Sequence, residues 1–255
     1  MTASIMLKNK GVRRTLAVLI SLTVWQASAM IVNTDFLFPT PISVICRLFT
    51  MWSEEGFFLA ISNSFIKIIL GFSLGLILGL ILALIAARFS IVEDLLWPFM
   101  ITVKSVPVAS FIVLALMWLT SKELSTFISF LMALPIIYTN ILSGIQNSNR
   151  EMDKMATVFN MPIGRRILYI WMPRIKPFMI SACSIAIGLS WKAGIAAELI
   201  GIPYNSLGEM LYYSKLYFNT LDLFAWTIII VLISIGFEKL FTALLKFAFR
   251  RIEKI

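Results

Sequence analysis

Lys192 and Glu198 stand in Pro177–Ile202, a stretch that is otherwise uncharged and largely apolar. An ionised side chain near the centre of a bilayer costs roughly 2.5–3.5 kcal/mol even on a mild insertion scale, so such residues face protein or a water-filled cavity and often mark ion or substrate paths. Six residues apart on a regular helix, the two point about 240° away from each other and do not pair. Each therefore needs another partner, or the helix breaks near Gly194. Two uses stay open. Trp191, Lys192 and Glu198 line a translocation path, or they are structural groups satisfied by neighbouring spans. Other chemistry lacks its residues. The chain has no histidine, which removes the commonest general base and the commonest metal ligand. There is no nucleophile–base pattern, no G-x-x-x-x-G-K-[ST] and no other Gly-rich phosphate loop. Cys46 and Cys183 lie far apart, without a metal motif, and are not expected to form a disulfide. The chain is thus expected to be no enzyme and to bind no metal or cofactor of its own.

A second concentration of charge, Glu151, Asp153, Lys154, Arg165, Arg166 and Arg174, separates two long apolar runs. Ser148 or Asn149 can cap a helix, with Glu151 in its first turn where the dipole favours an acid. Met152, Met155, Ala156 and Phe159 recur at i, i+3, i+4 and i+7, one face of a helix. Asn160 tolerates the left-handed conformation that ends a helix. Met161, Pro162, Ile163 and Gly164 form a turn, with Pro162 suited to the first position of the next helix. Arg165 to Trp171 continue helically until Pro173 and Pro177 flank entry to the next apolar run. The pattern predicts helix, tight turn, helix. Its apolar stripe fits either the headgroups of a membrane or a protein partner.

The elements that hold these residues follow from the apolar blocks. The chain is 60% hydrophobic and 14% charged, well below the charge of a soluble domain. A helix needs about 20 apolar residues to cross the hydrocarbon core. Residues 15–34, 68–87, 105–121, 124–149, 177–202 and 223–237 are candidate spans. The first is too long for a signal-peptide core and lacks a small-residue cleavage site, so it reads as a retained span. With the N-terminus in the cytoplasm, sixteen of the 22 basic residues fall inside and three outside, as the positive-inside rule requires. The expected order is a cytoplasmic tail 1–14, then a membrane domain 15–255 with a cytoplasmic loop 146–176 between the fourth and fifth spans. Both termini are cytoplasmic. The net charge of +9 is then topology, and nucleic acid is not an expected partner.

Gly71, Gly75, Gly79, Ala83 and Ala87 recur every four residues and make a flat helix face for close packing. That face serves either the bundle itself or a seam against a second copy. Pro107 and Pro135 are expected to kink the third and fourth spans.

The stretches "KMATVFN" (154–160) and "IWMP" (170–173) resemble the EAA loop of permease subunits of type I ATP-binding-cassette importers, whose pattern runs E-x-A-x-x-x-G and later I-x-L-P. Ala156 matches the small residue, and Ile170, Met172 and Pro173 match the end. Lys154 stands where the family has its acid and Asn160 where it has glycine. "FPTPISVICRLF" (38–49), "WPFMITVKSVPVASFIVLALMW" (97–118) and "LSWKAGIAAELIGIPYNSLGEMLYYSK" (189–215) are similar to family segments, the last to permeases for nitrate, sulfonate and taurine. The resemblance implies an all-α permease fold of about six spans in the plasma (inner) membrane. It implies that Glu151, Met152, Met155, Ala156, Phe159, Asn160, Pro162, Gly164 and Pro173 form a coupling segment for a cytoplasmic ATPase. That partner, as a dimer, would hold ATP and Mg. It further implies an extracytoplasmic solute-binding protein, a second permease copy as a homodimer, and lipid as surroundings. An autonomous secondary transporter or channel is the alternative.

Overall fold

The structure, a computed structural model, describes residues 10–32, 34, 36–146 and 150–252. Residues 1–9 of the expected tail and the proposed cap Ser148 or Asn149 lie outside them. Among the described residues there are only helices. In chain order these are α1 (Lys10–Val32), α2 (Pro41–Met51), α3 (Phe57–Arg88), α4 (Ser90–Ser105), α5 (Val108–Ala115) and α6 (Ser121–Gln146). Then follow α7 (Arg150–Val158), α8 (Ile163–Arg166), a π-helical turn Ile167–Trp171, α9 (Met172–Gly201), α10 (Leu207–Leu216) and α11 (Thr220–Ile252). Among the described residues five helices are long and apolar enough to cross a membrane, and α4 with α5 makes a sixth span only as a pair bent by 102°.

That bend corrects one expectation. Residues 105–121 are not one kinked helix. Proline disfavours the helical conformation of the residue before it, so Val106 is extended (ψ 134°) and α5 restarts immediately after Pro107. Pro135, by contrast, sits buried inside the continuous α6. Helices also outrun the uncharged windows that announced them. α3 begins at Phe57 rather than residue 68, and α11 runs on through Glu238 and Lys239. Glu238 is accommodated by the Ser184 hydroxyl, which donates to its carboxylate.

The chain divides into two compact units. The first comprises residues up to 58 and 210–229. Thr40 caps α2 by accepting from Ser43 N–H at 3.2 Å, and Pro41 begins the helix. Trp25 donates to the Pro39 carbonyl at 3.2 Å and packs on Phe224. Arg47 forks onto Asp222, with its second nitrogen at 3.0 Å, and reaches Glu54 at 2.6 Å. The hydrogen bond to Asp222 raises the Arg47 pKa further above its ordinary value.

The second unit, 59–209 with 230 onward, holds the core. Here α3 crosses α6 on its glycine face. A Cβ on Gly75 would come within 2.7 Å of Ala133 Cβ, and one on Gly79 within 3.1 Å of Ile137 Cγ2. The stripe therefore packs inside this chain as far as Ala83, which is buried, while Ala87 is exposed. α6 and α9 pack extensively. At their buried crossing Ser129 Oγ donates to the Ser190 carbonyl (3.1 Å) and Ser190 Oγ returns a bond to the Ser129 carbonyl (3.0 Å). Small residues and serines replace bulk apolar contact because lipid tails compete equally for hydrophobic surface. Phe65 and Phe72 meet Phe237 and Phe241 of α11 edge-on.

Candidate functional site

The charged segment folds as helix, turn, helix. α7 ends in a Schellman motif, in which Asn160 takes the left-handed conformation (φ 47°). Its N–H donates to the Thr157 carbonyl at 3.1 Å, and Met161 N–H to the Ala156 carbonyl at 2.9 Å. Asparagine tolerates that conformation next best after glycine, which explains the cap without a glycine. Pro162 precedes α8, and its carbonyl accepts from Arg166 N–H at 3.1 Å.

The apolar stripe divides unevenly. Met152, Met155 and Phe159 are 52, 60 and 73% exposed, and Val158 joins them. Ala156 is only 5% exposed. This corrects its assignment to the outward face. Ala156 lies at the edge of the arc, and the Schellman turn folds the following residue back toward the third-last helical position, which is Ala156 itself. The side chain of Glu151 lies outside the described residues. Gly164 has open space where a Cβ would be.

Pro173 does not interrupt the chain before α9. The helical path runs from Ile163 to Gly201, accommodated by the π turn Ile167–Trp171 just ahead of Pro173. A π turn shifts the hydrogen-bond partner by one residue, a common device at functional sites. Arg166 lies over the Trp171 ring, 5.8 Å from its centroid. Beyond the turn at 159–162, the coupling segment and the core are thus joined by continuous helix.

The far end of α9 carries the intramembrane charges. α9 does not break near Gly194; that glycine gives room to Ser129 and Ile68. Glu198 is fully buried. Its Oε2 accepts from Ser64 Oγ of α3 at 2.6 Å and from Gly208 N–H at 3.3 Å, and Ser64 Oγ accepts from Leu207 N–H at 2.9 Å. Leu207 and Gly208 open α10, so a carboxylate and a hydroxyl satisfy backbone donors at a helix N-terminus, where negative charge is favoured. Gly208 is required there, since a Cβ would come within 2.5 Å of Leu199 N. Ser206 caps the same helix from Glu209 N–H (3.1 Å), and Glu209 reaches back to Asn205 N–H (2.5 Å). This Ser-x-x-Glu capping box is a local signal present in the sequence itself. Ser64 carried no local signal, because its partner is 134 positions away.

Of the three residues offered for a translocation path, Trp191 and Glu198 are buried inside this chain, and Lys192 alone is exposed. Lys192 shares its face of α9 with the exposed Ile185 and Leu189.

Residues 75–254 match the family described as "Binding-protein-dependent transport system inner membrane component". The nitrate import permease protein NrtB of Synechococcus elongatus is 26% identical over 200 residues, which cover 72% of this chain and 71% of NrtB. The formylaminopyrimidine transport permease protein ThiX of Halalkalibacterium halodurans is 24% identical over 190 residues, 73% of this chain and 75% of ThiX. A chain in the crystal structure of an amino acid ABC transporter with histidines shares the fold, with a TM-score of 0.57 at 20% identity over 76% of this chain and 94% of that one.

Proposed function

The chain belongs to the family of binding-protein-dependent transport system inner membrane components, the permease subunits of ATP-binding-cassette importers, and from that premise we propose how this one is driven. α7 is the coupling helix. Met152, Met155 and Phe159 insert into a groove of a cytoplasmic ATPase, in the manner of an amphipathic helix presenting anchors at i, i+3 and i+7. Closure of the ATPase dimer around ATP and Mg moves α7, and the unbroken run 163–201 carries that motion into the bundle. The observation that carries this reading is the large exposed apolar surface on a short, capped helix that one tight turn joins to the helical run 163–201. The N-terminus and the C-terminus face the cytoplasm with α7, in keeping with the distribution of basic residues. A second copy completes the pathway, and a binding protein delivers solute from the other side.

The transported solute is a small anion of the nitrate or sulfonate kind. Similarity to a nitrate permease supports this, as does a single exposed cation, Lys192, on the core-forming α9. The test is co-purification and uptake. Met155→Glu with Phe159→Glu should leave the chain inserted and folded but remove the ATPase from the purified complex and abolish uptake. Full retention of the ATPase would refute the assignment of α7.

A further inference from the structure

The last turns of α3 and α6 and the first turn of α9 line a cavity of about 360 Å³ together with Trp171 of the coupling loop. Leu84, Ile145 and Ile175 supply apolar walls, and Arg88, Arg174 and Trp171 also line it. Arg88 is the last residue of α3 and lies 5.6 Å from the Phe89 ring centroid. Towards the middle of α3, the same helix face continues through Ile81 and Ile77, both exposed. From Ile77 to Arg88 this strip is roughly 16 Å long at 1.5 Å per residue.

The chemistry is graded along that length. Two guanidiniums stand at one end, a group whose planar geometry matches phosphate oxygens. A tryptophan sits at the same level, the residue that favours the membrane–water boundary. Below it the strip is purely hydrocarbon. A small hydrophilic anion would use the arginines and leave the apolar wall unmatched. A molecule with a phosphate head and an aliphatic tail uses both. We propose that this notch is a binding site for an anionic phospholipid. Its phosphate lies between Arg88 and Arg174, and one acyl chain lies along Leu84, Ile81 and Ile77. The site is separate from the exposed Met152–Met155–Phe159 surface, and only the choice of leaflet rests on the orientation proposed above.

Native mass spectrometry of the whole transporter, exchanged into equal phosphatidylglycerol and phosphatidylcholine, tests it. The wild type should retain phosphatidylglycerol preferentially. Arg88→Gln should reduce that preference about fivefold, with a similar further loss in the Arg88→Gln/Arg174→Gln double variant, and Arg88→Lys should fall between. Arg88→Gln is informative alone if the double variant fails to fold. Equal retention of the two lipids by wild type would overturn the proposal, as would undiminished preference in Arg88→Gln. Displacement of the lipid by millimolar inorganic phosphate would also overturn it, because the site would then be for the free anion. ATPase content is measured in the same spectra. Lipid loss with the ATPase retained supports this site irrespective of the coupling reading.

Discussion

Removing the Glu198 carboxylate should destabilise the bundle far more than removing its charge. In Glu198→Ala, the Ser64 hydroxyl and the Gly208 N–H both lose their acceptor in a buried place. An unsatisfied buried donor costs about 1–3 kcal/mol, so the loss for the two is roughly 2–6 kcal/mol. Glu198→Gln keeps an acceptor for both donors. Its new NH2 group takes the place of Glu198 Oε1, which, like the buried Ser125 Oγ, has no hydrogen-bond partner. Gln is therefore expected to cost less than about 1 kcal/mol. For a chain of this size that separates an apparent melting temperature lowered by about 5–15 °C from one nearly unchanged. Thermal unfolding of the purified transporter by size-exclusion fluorescence reads this directly, with uptake measured in parallel. A Gln variant that is stable yet transports nothing would refute the structural account and show that the negative charge itself serves translocation.

Other outcomes follow from the same geometry. Gly75→Leu should cost at least about 1–3 kcal/mol by overpacking against Ala133, whereas Gly164→Ala, with nothing near the new methyl, should fall within about 0.5 kcal/mol of wild type in the same melting assay. Asn160→Gly should be neutral or slightly stabilising, and Asn160→Val should lose about 1–2 kcal/mol because a β-branched residue must hold φ 47°. Ala156→Asp buries a charge on the inner edge of α7 and should lower the yield of folded protein rather than selectively release the ATPase; a well-folded variant lacking ATPase would contradict the burial. Lys192→Gln should leave the melting temperature unchanged and reduce uptake of an anionic solute, while equal uptake would remove Lys192 from the pathway.

Much of this molecule is legible from local pattern. Long uncharged windows announce spans because lipid offers no partner for backbone or charge, and the glycine interval of four announces a flat face because a helix repeats near that number. The helix–turn–helix of 150–171 follows from periodicity plus Asn160, a residue whose backbone preference is its own. The family match spans residues 75–254, and it sets aside the alternative of an autonomous secondary transporter. What one chain of letters left open was which groups meet. From local pattern, Glu198 needed either an unidentified partner or a break of its helix near Gly194. The fold instead supplied Ser64 from 134 positions away and kept the helix whole. It also turned Ala156 inward while Met155 stayed out, and bent the third span by 102° at Pro107. Periodicity fixes the direction of a side chain only relative to its own helix axis. Whether that direction ends in lipid, water, a second copy or a buried hydroxyl depends on how the helices cross, and crossings are settled by contacts between residues that are distant in sequence.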